Sequence, residues 1–240
     1  LRLDPANRRA MLVMGRLLFL EGMAKEDNDI LQEGRNYYEQ ALQMGAEDFQ
    51  LFLDMAQLMG VEGDADGAKT FLEMAKAAFP RYVGPDNPYQ LLAQLYQQEG
   101  NNDAALKEME ALARIVELQV DVRQQLAQYY LGRGDTQRGL QYLQEIENVT
   151  PLSSQLQSQL AQLLMREERY AEAATSYKVI LGMADAGAQH DAARKSLVQA
   201  LFSSEQFDEA RDLCEQQLVA RPGDAFWTQW LNKVKAAQGR

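Results

Sequence analysis

The chain has 240 residues, 46% of them hydrophobic and 25% charged, with a formal net charge of −11. That is enough for one large domain or two ordinary ones, and a composition rich in Ala, Leu, Gln and Glu with only six prolines points to helix rather than sheet. Lys and Arg never gather into a stripe, so nucleic-acid binding, which needs many phosphate contacts, is excluded, and the acidic balance disfavours anionic membranes.

Taken in chain order, the opening LRLDPAN at 1–7 reads as the end of a preceding repeat, and the sequence is expected to be a fragment of a longer protein. The apolar stretch at 10–20 is broken by Arg16 and is too short to cross a bilayer. It predicts the first helix of a hairpin, with extra residues in the acidic turn around Glu26-Asp27-Asn28-Asp29. From there a triplet recurs: Met55-Ala56-Gln57, Leu92-Ala93-Gln94, Leu126-Ala127-Gln128, Leu160-Ala161-Gln162 and Leu197-Val198-Gln199. A second set of small residues keeps step, at Gly34, Ala68, Ala105, Gly139, Ala173 and Ala210, and so do Pro5, Pro80, Pro151 and Pro222. Within each period two helical patterns flank a turn. In the third, Pro88 to Gln98 is followed by Glu99-Gly100-Asn101-Asn102 and then by Ala105, Met109, Leu112 and Val116 at helical spacing. A lone hairpin cannot bury its apolar face, whereas stacked neighbours can. The predicted units are about 8–48, 49–82, 86–119, 120–153, 154–187 and 191–224, closed by a final helix at 225–238, as a single solenoid over 1–240.

These features resemble the tetratricopeptide repeat family over essentially the whole chain. The motifs that carry the likeness are LAQLYQQEGNNDAALKEMEAL in the third unit, Tyr170, Ala173 and Tyr177 in the fifth, and Phe207, Ala210 and Pro222 in the sixth. The family's first-helix Trp is replaced by Met11, Phe52, Tyr89, Arg123, Gln157 and Arg194, and Gly34 and Gly139 stand where Ala is usual. The resemblance implies an all-α, right-handed α-solenoid of about six helical hairpins plus a capping helix. It implies a non-enzymatic scaffold or adaptor that holds a protein or peptide in its concave groove, without cofactor. The alternative it implies is an accessory array of a larger bacterial envelope-assembly, secretion or polysaccharide-export component whose activity lies outside these residues. The expected compartment is bacterial cytoplasm or periplasm, with no targeting segment in the sequence. Array ends that expose apolar surface offer a route to self-association.

The Gln of each triplet points about 100° round the helix from the Ala that packs inward. In tetratricopeptide arrays that position lines the groove, which here gives Arg16, Gln57, Gln94, Gln128, Gln162, Gln199 and Lys233. One turn earlier lie Gln90, Gln124 and Lys195, with Leu12 and Leu53; one turn later lie Phe19, Gly60 and Phe202. A ladder of carboxamides both donates and accepts hydrogen bonds and suits a peptide backbone; equally, Gln is a good helix former, and the ladder is then composition only. The Lys/Asn pattern by which some arrays clamp carboxyl termini is absent: its positions hold Leu12, Arg16, Asp54, Asn87 and Leu91. Trp230, on the groove side of the final helix, either seals the array end or anchors a partner. His190 reads as a solvated inter-repeat residue and Cys214 as a core thiol. Asp64-Ala65-Asp66-Gly67 reads as a turn, because the oxygen ligands of a calcium loop are missing.

Overall fold

The computed structural model describes residues 7–116, 118–183 and 187–239. Residues 1–6, expected to end a preceding repeat, lie outside the described residues, as do 184–186 near the end of the expected fifth unit. Among the described residues the chain is all helix, without strands, and it divides into two compact units that meet in sequence between Gln119 and Val120. The first holds α1 (Arg8–Lys25), α2 (Asn28–Gln43), α3 (Phe49–Glu62), α4 (Ala65–Ala78), α5 (Pro88–Gln98) and α6 (Asn102–Ile115). The second holds α7 (Val120–Gly132), α8 (Thr136–Val149), α9 (Ser154–Arg166), α10 (Tyr170–Gly182), α11 (Gly187–Ser203), α12 (Phe207–Ala220) and α13 (Ala225–Gln238). Within each unit the helices pair as successive hairpins, and each hairpin packs on the next.

Oxygen-bearing side chains start most of these helices. Asp48 accepts from Leu51 N at 2.9 Å, Asp64 from Gly67 N at 2.9 Å, Asn101 from Ala104 N at 3.2 Å and Asp135 from Arg138 N at 3.1 Å. Each satisfies an amide that the helix cannot, worth about 1 kcal/mol. Asp64 is therefore a cap, which accounts for the Asp-Ala-Asp-Gly sequence. Inside the hairpins the chain reverses at Gly63, Gly100 and Gly134, whose φ values of 80°, 75° and 79° are left-handed. Pro80, Pro151 and Pro222 follow the ends of α4, α8 and α12, where they block continuation of the helix.

The two phased sets of small residues are buried, with Ala127, Ala161, Val198, Ala173 and Ala210 all at 0% exposure. They let helix axes approach closely. The glycines at Ala positions have a local cause. A Cβ on Gly34 would stand 3.1 Å from Phe19 N and 3.2 Å from Gly15 O, so α1 and α2 pack closer than an alanine permits. At Gly139 a Cβ would meet the Leu131 side chain at 2.5 Å.

Two expectations change. The extra residues of the first unit lengthen its helices, to 18 residues in α1 and 16 in α2, leaving only Glu26 and Asp27 between them. Glu26 turns left-handed at φ 53°, and Asp27 caps Asp29 N and Ile30 N, so the acidic turn is tight, with Glu26 and Asp29 exposed. His190 lies within α11, which starts upstream of the expected boundary; half-buried, its Nε2 sits 3.1 Å from Ile180 O.

Of the six first-helix positions named above, Met11 and Phe52 fill the core, whereas Tyr89, Arg123, Gln157 and Arg194 take polar contacts. Tyr89 donates its hydroxyl to Pro80 O at 2.9 Å, and buried Gln157 donates to Pro151 O at 3.0 Å and Glu147 Oε1 at 2.8 Å. Each ties the first helix of a unit to the proline turn before it. Arg123, 8% exposed, donates to Glu145 Oε2 at 3.0 Å.

Candidate functional site

In the first unit, the first helices of the hairpins bring two of the predicted groove residues together. Gln57 on α3 and Gln94 on α5 line one open pocket of about 160 Å³, with Leu72 of α4 and Leu91 and Leu95 of α5 as its apolar walls. Gly60 keeps its rim open, since a Cβ there would meet nothing within 4 Å. Of the apolar residues expected to flank the glutamines, Leu12, Leu131, Met165 and Phe202 are half-buried, but Phe19 and Leu53 are 3% exposed, belong to the core and supply no wall to this pocket. The leucines of α5 do that work, because Leu91 and Leu95 share a helix face with Gln94 and Gln98 at i, i+3, i+4 and i+7 spacing.

In the second unit, Gln124 and Gln128 of α7 line a pocket of about 320 Å³, facing Gln155 and Gln159 of α9 beside Thr150 and Ser153. Gln155 and Gln159 escaped the sequence reading, which took the same position from every unit. The side chain across the pocket from Gln128 comes from an earlier turn of α9 than Gln162. A signal was available: Gln155, Gln159 and Gln162 lie at i, i+4 and i+7, on one helix face.

The remaining predicted residues divide. Gln90 and Gln162 are exposed and Gln199 is half-buried, and none of them lines these two pockets. Lys233 is exposed, its ammonium 4.5 Å from the ring centroid of half-buried Trp230, while Trp227 beside it is 1% exposed. Arg16 is committed internally. Its guanidinium donates to Asp54, which is 1% exposed and also accepts from Tyr38 Oη and, at 2.9 Å, from Gln50 Nε2. Asn87, another clamp position, is buried and caps α5 through Tyr89 N at 2.9 Å.

The side-chain amides of Gln57, Gln90, Gln94, Gln124, Gln128, Gln162 and Gln199 make no hydrogen bond to other described residues. Gln32, Gln50, Gln157, Gln206 and Gln238 do bond within the fold, whereas Gln40, Gln137, Gln144 and Gln217 on the second helices, like the predicted set, make no side-chain hydrogen bond to other described residues. Three cations of α2 and α4 are also engaged between repeats: Arg35 with Glu62 at 2.6 Å, Lys69 with Glu99 at 2.6 Å and Lys76 with Glu108 at 2.7 Å. Among the described residues no cluster of His, Cys, Asp and Glu is suited to a metal, and no helix is long and apolar enough to cross a membrane.

Comparison with known proteins bears on the hairpins directly. The tetratricopeptide repeat family model matches residues 87–115, which span α5 and α6. Curated protein sequences return no match. Among solved structures, that of MamA protein is 16% identical at a TM-score of 0.40, covering 71% of this chain and 90% of its own. YrrB, described as a TPR protein with an unusual peptide-binding site, is 15% identical at a TM-score of 0.42, covering 80% and 96%. PilF of Pseudomonas aeruginosa is 14% identical at 0.40, covering 96% and 98%. The α5–α6 hairpin thus carries the family's sequence pattern as well as its form, and the other described helices of each unit repeat the same hairpin arrangement.

Proposed function

We propose that the chain is a non-enzymatic interaction scaffold that holds a peptide or protein segment on the face formed by the first helices of its hairpins. The observation that carries this reading is the pocket shared by Gln57 and Gln94: two uncommitted carboxamides over leucine walls. That pairing suits an extended segment, whose backbone N–H and C=O groups meet the amides while an aliphatic side chain enters between Leu72 and Leu95. The four-glutamine pocket of the second unit offers the same backbone chemistry with polar walls.

The test compares two baits in a crosslinking capture from lysate of the source organism: the chain, and a variant carrying Gln94→Glu, Gln128→Glu and Gln162→Glu. Circular dichroism first establishes that both fold alike. Capture by the parent that the variant loses supports a working groove. Equal capture by both removes the glutamines from recognition and moves the contact elsewhere on the chain.

A further inference from the structure

At the end of the second unit, α11 and α13 hold a patch of aromatic rings between two lysines. The Phe226 and Trp230 ring centroids are 6.2 Å apart, and Phe202 meets Trp230 edge-on at 5.6 Å. Lys195 Nζ lies 5.3 Å from the Phe226 centroid and Lys233 Nζ 4.5 Å from that of Trp230. Both lysines are exposed and the two rings half-buried, so cations and ring surface alike remain open to a ligand. Neither lysine forms an ion pair among the described residues, whereas the carboxylates of this region are engaged: Asp191 by Arg221 and Arg194, Glu215 by Lys235, and Asp224 as the cap of α13. A cation over an aromatic face is attracted by the ring's negative face, which orders the side chain without neutralising it.

We propose that this patch is a docking site for an acidic peptide segment that carries an apolar residue. Its carboxylates would meet Lys195 and Lys233, and its apolar side chain would lie on Trp230 and Phe226. The choice of occupant rests on charge: in a chain of net charge −11, two ordered ammonium groups outside any direct ion pair among the described residues flank one apolar surface, Lys195 acting on Asp191 only at longer range. An aromatic ring that is partly open and rimmed by polar groups is also the usual form of an anchor. The proposal deepens the peptide-binding reading at Trp230 and names the chemistry it selects.

The test titrates the chain with a short blocked peptide of alternating glutamate and leucine and, separately, with its glutamine counterpart, following tryptophan emission. Trp227 is fully buried, so the responsive ring is Trp230, and Trp230→Phe removes the signal. The acidic peptide is expected to bind saturably and to weaken with salt, and the glutamine peptide to bind roughly fivefold less tightly, the worth of two exposed ion pairs. A Lys195→Gln/Lys233→Gln variant with an unchanged thermal melt is expected to lose the preference. Equal binding of the two peptides, no binding of either, or a preference that survives in the variant overturns the proposal. Sedimentation that shows a lysine-dependent dimer overturns it too, in favour of a second copy's acidic surface. Gln94→Glu, in the other unit, separates the two readings: if it abolishes peptide binding while the lysines have no effect, the groove stands and the acidic site falls.

Discussion

The guanidinium of Arg16 on α1 pairs with the carboxylate of Asp54 on α3, which is 1% exposed and lies in an otherwise apolar helix face. This pair joins the first helices of adjacent hairpins, and Tyr38 and Gln50 complete the carboxylate's hydrogen bonding. Removing the acceptor strands three donors, two of them on buried or half-buried side chains. Asp54→Ala is therefore expected to cost about 2–4 kcal/mol in urea unfolding. Replacing Arg16 with Met and Asp54 with Leu together is expected to cost less than the sum of the single changes, since no uncompensated charge is left behind. Additive losses would mean that the pair contributes no coupling.

The same network sets a pH limit. Burial, and then the hydrogen bond to the Asp54 carboxylate, push the Tyr38 hydroxyl far above its ordinary value of 10.0. A group whose folded value is raised stabilises fully below the unfolded value and loses that contribution as pH rises past it. Stability is thus expected to decline above about pH 10, and Tyr38→Phe to remove part of that slope at a cost of about 1 kcal/mol near neutrality. Ultraviolet titration checks it: of the ten tyrosines, Tyr38 ionises only when the chain unfolds. Ionisation of Tyr38 in the folded chain would contradict the network.

The hairpin turns offer a gain instead of a loss. Gly63, Gly100 and Gly134 turn at left-handed φ, and the equivalent turns of the last two hairpins use Glu168 at φ 59° and Glu205 at φ 60°. An L-residue with a Cβ pays roughly 1–2 kcal/mol for that conformation. Neither glutamate is buried. Glu168→Gly and Glu205→Gly are each expected to stabilise by about 0.5–1 kcal/mol, after the extra backbone entropy of glycine is set against the relief. A rise in melting temperature measures it, and a fall would show that the glutamate side chains hold the turns.

The hairpins were legible in the sequence because their determinants are local and phased: small residues at helix crossings, Asp or Asn caps, glycine in the turns and proline after the second helices. The two glutamine-lined pockets were legible only by position. A single helical position per unit finds Gln57 and Gln94, which do share a pocket, but assigns Gln162 opposite Gln128 where Gln155 and Gln159 stand, because stacked helices meet at offset turns. Arg16 looked like a groove cation since its partner is 38 residues away, and nothing near Asp54 in sequence says that it is buried. His190 was misplaced because α11 starts at Gly187, ahead of the segment taken as an inter-repeat extension, where no small-residue phase marks the boundary.

Cys214 supplies a probe of the second unit that needs no substitution. It is the chain's only cysteine, it packs at 0% exposure among the core residues of α11–α13, and burial, with a smaller contribution from Glu215, pushes its thiol up to about 11. Two barriers then oppose thiol chemistry: the sulfur is out of contact with solvent, and little of it is thiolate below that value. Modification at pH 8 by a thiol reagent is expected to be far slower than in urea-unfolded chain, and to proceed at the rate of local or global opening. Because the first unit has no cysteine, urea dependence of the labelling rate reports the second unit alone. If labelling and loss of helix share one midpoint, the two units unfold together. If labelling comes earlier or later, they unfold separately, as expected of an array whose contacts run between neighbouring repeats.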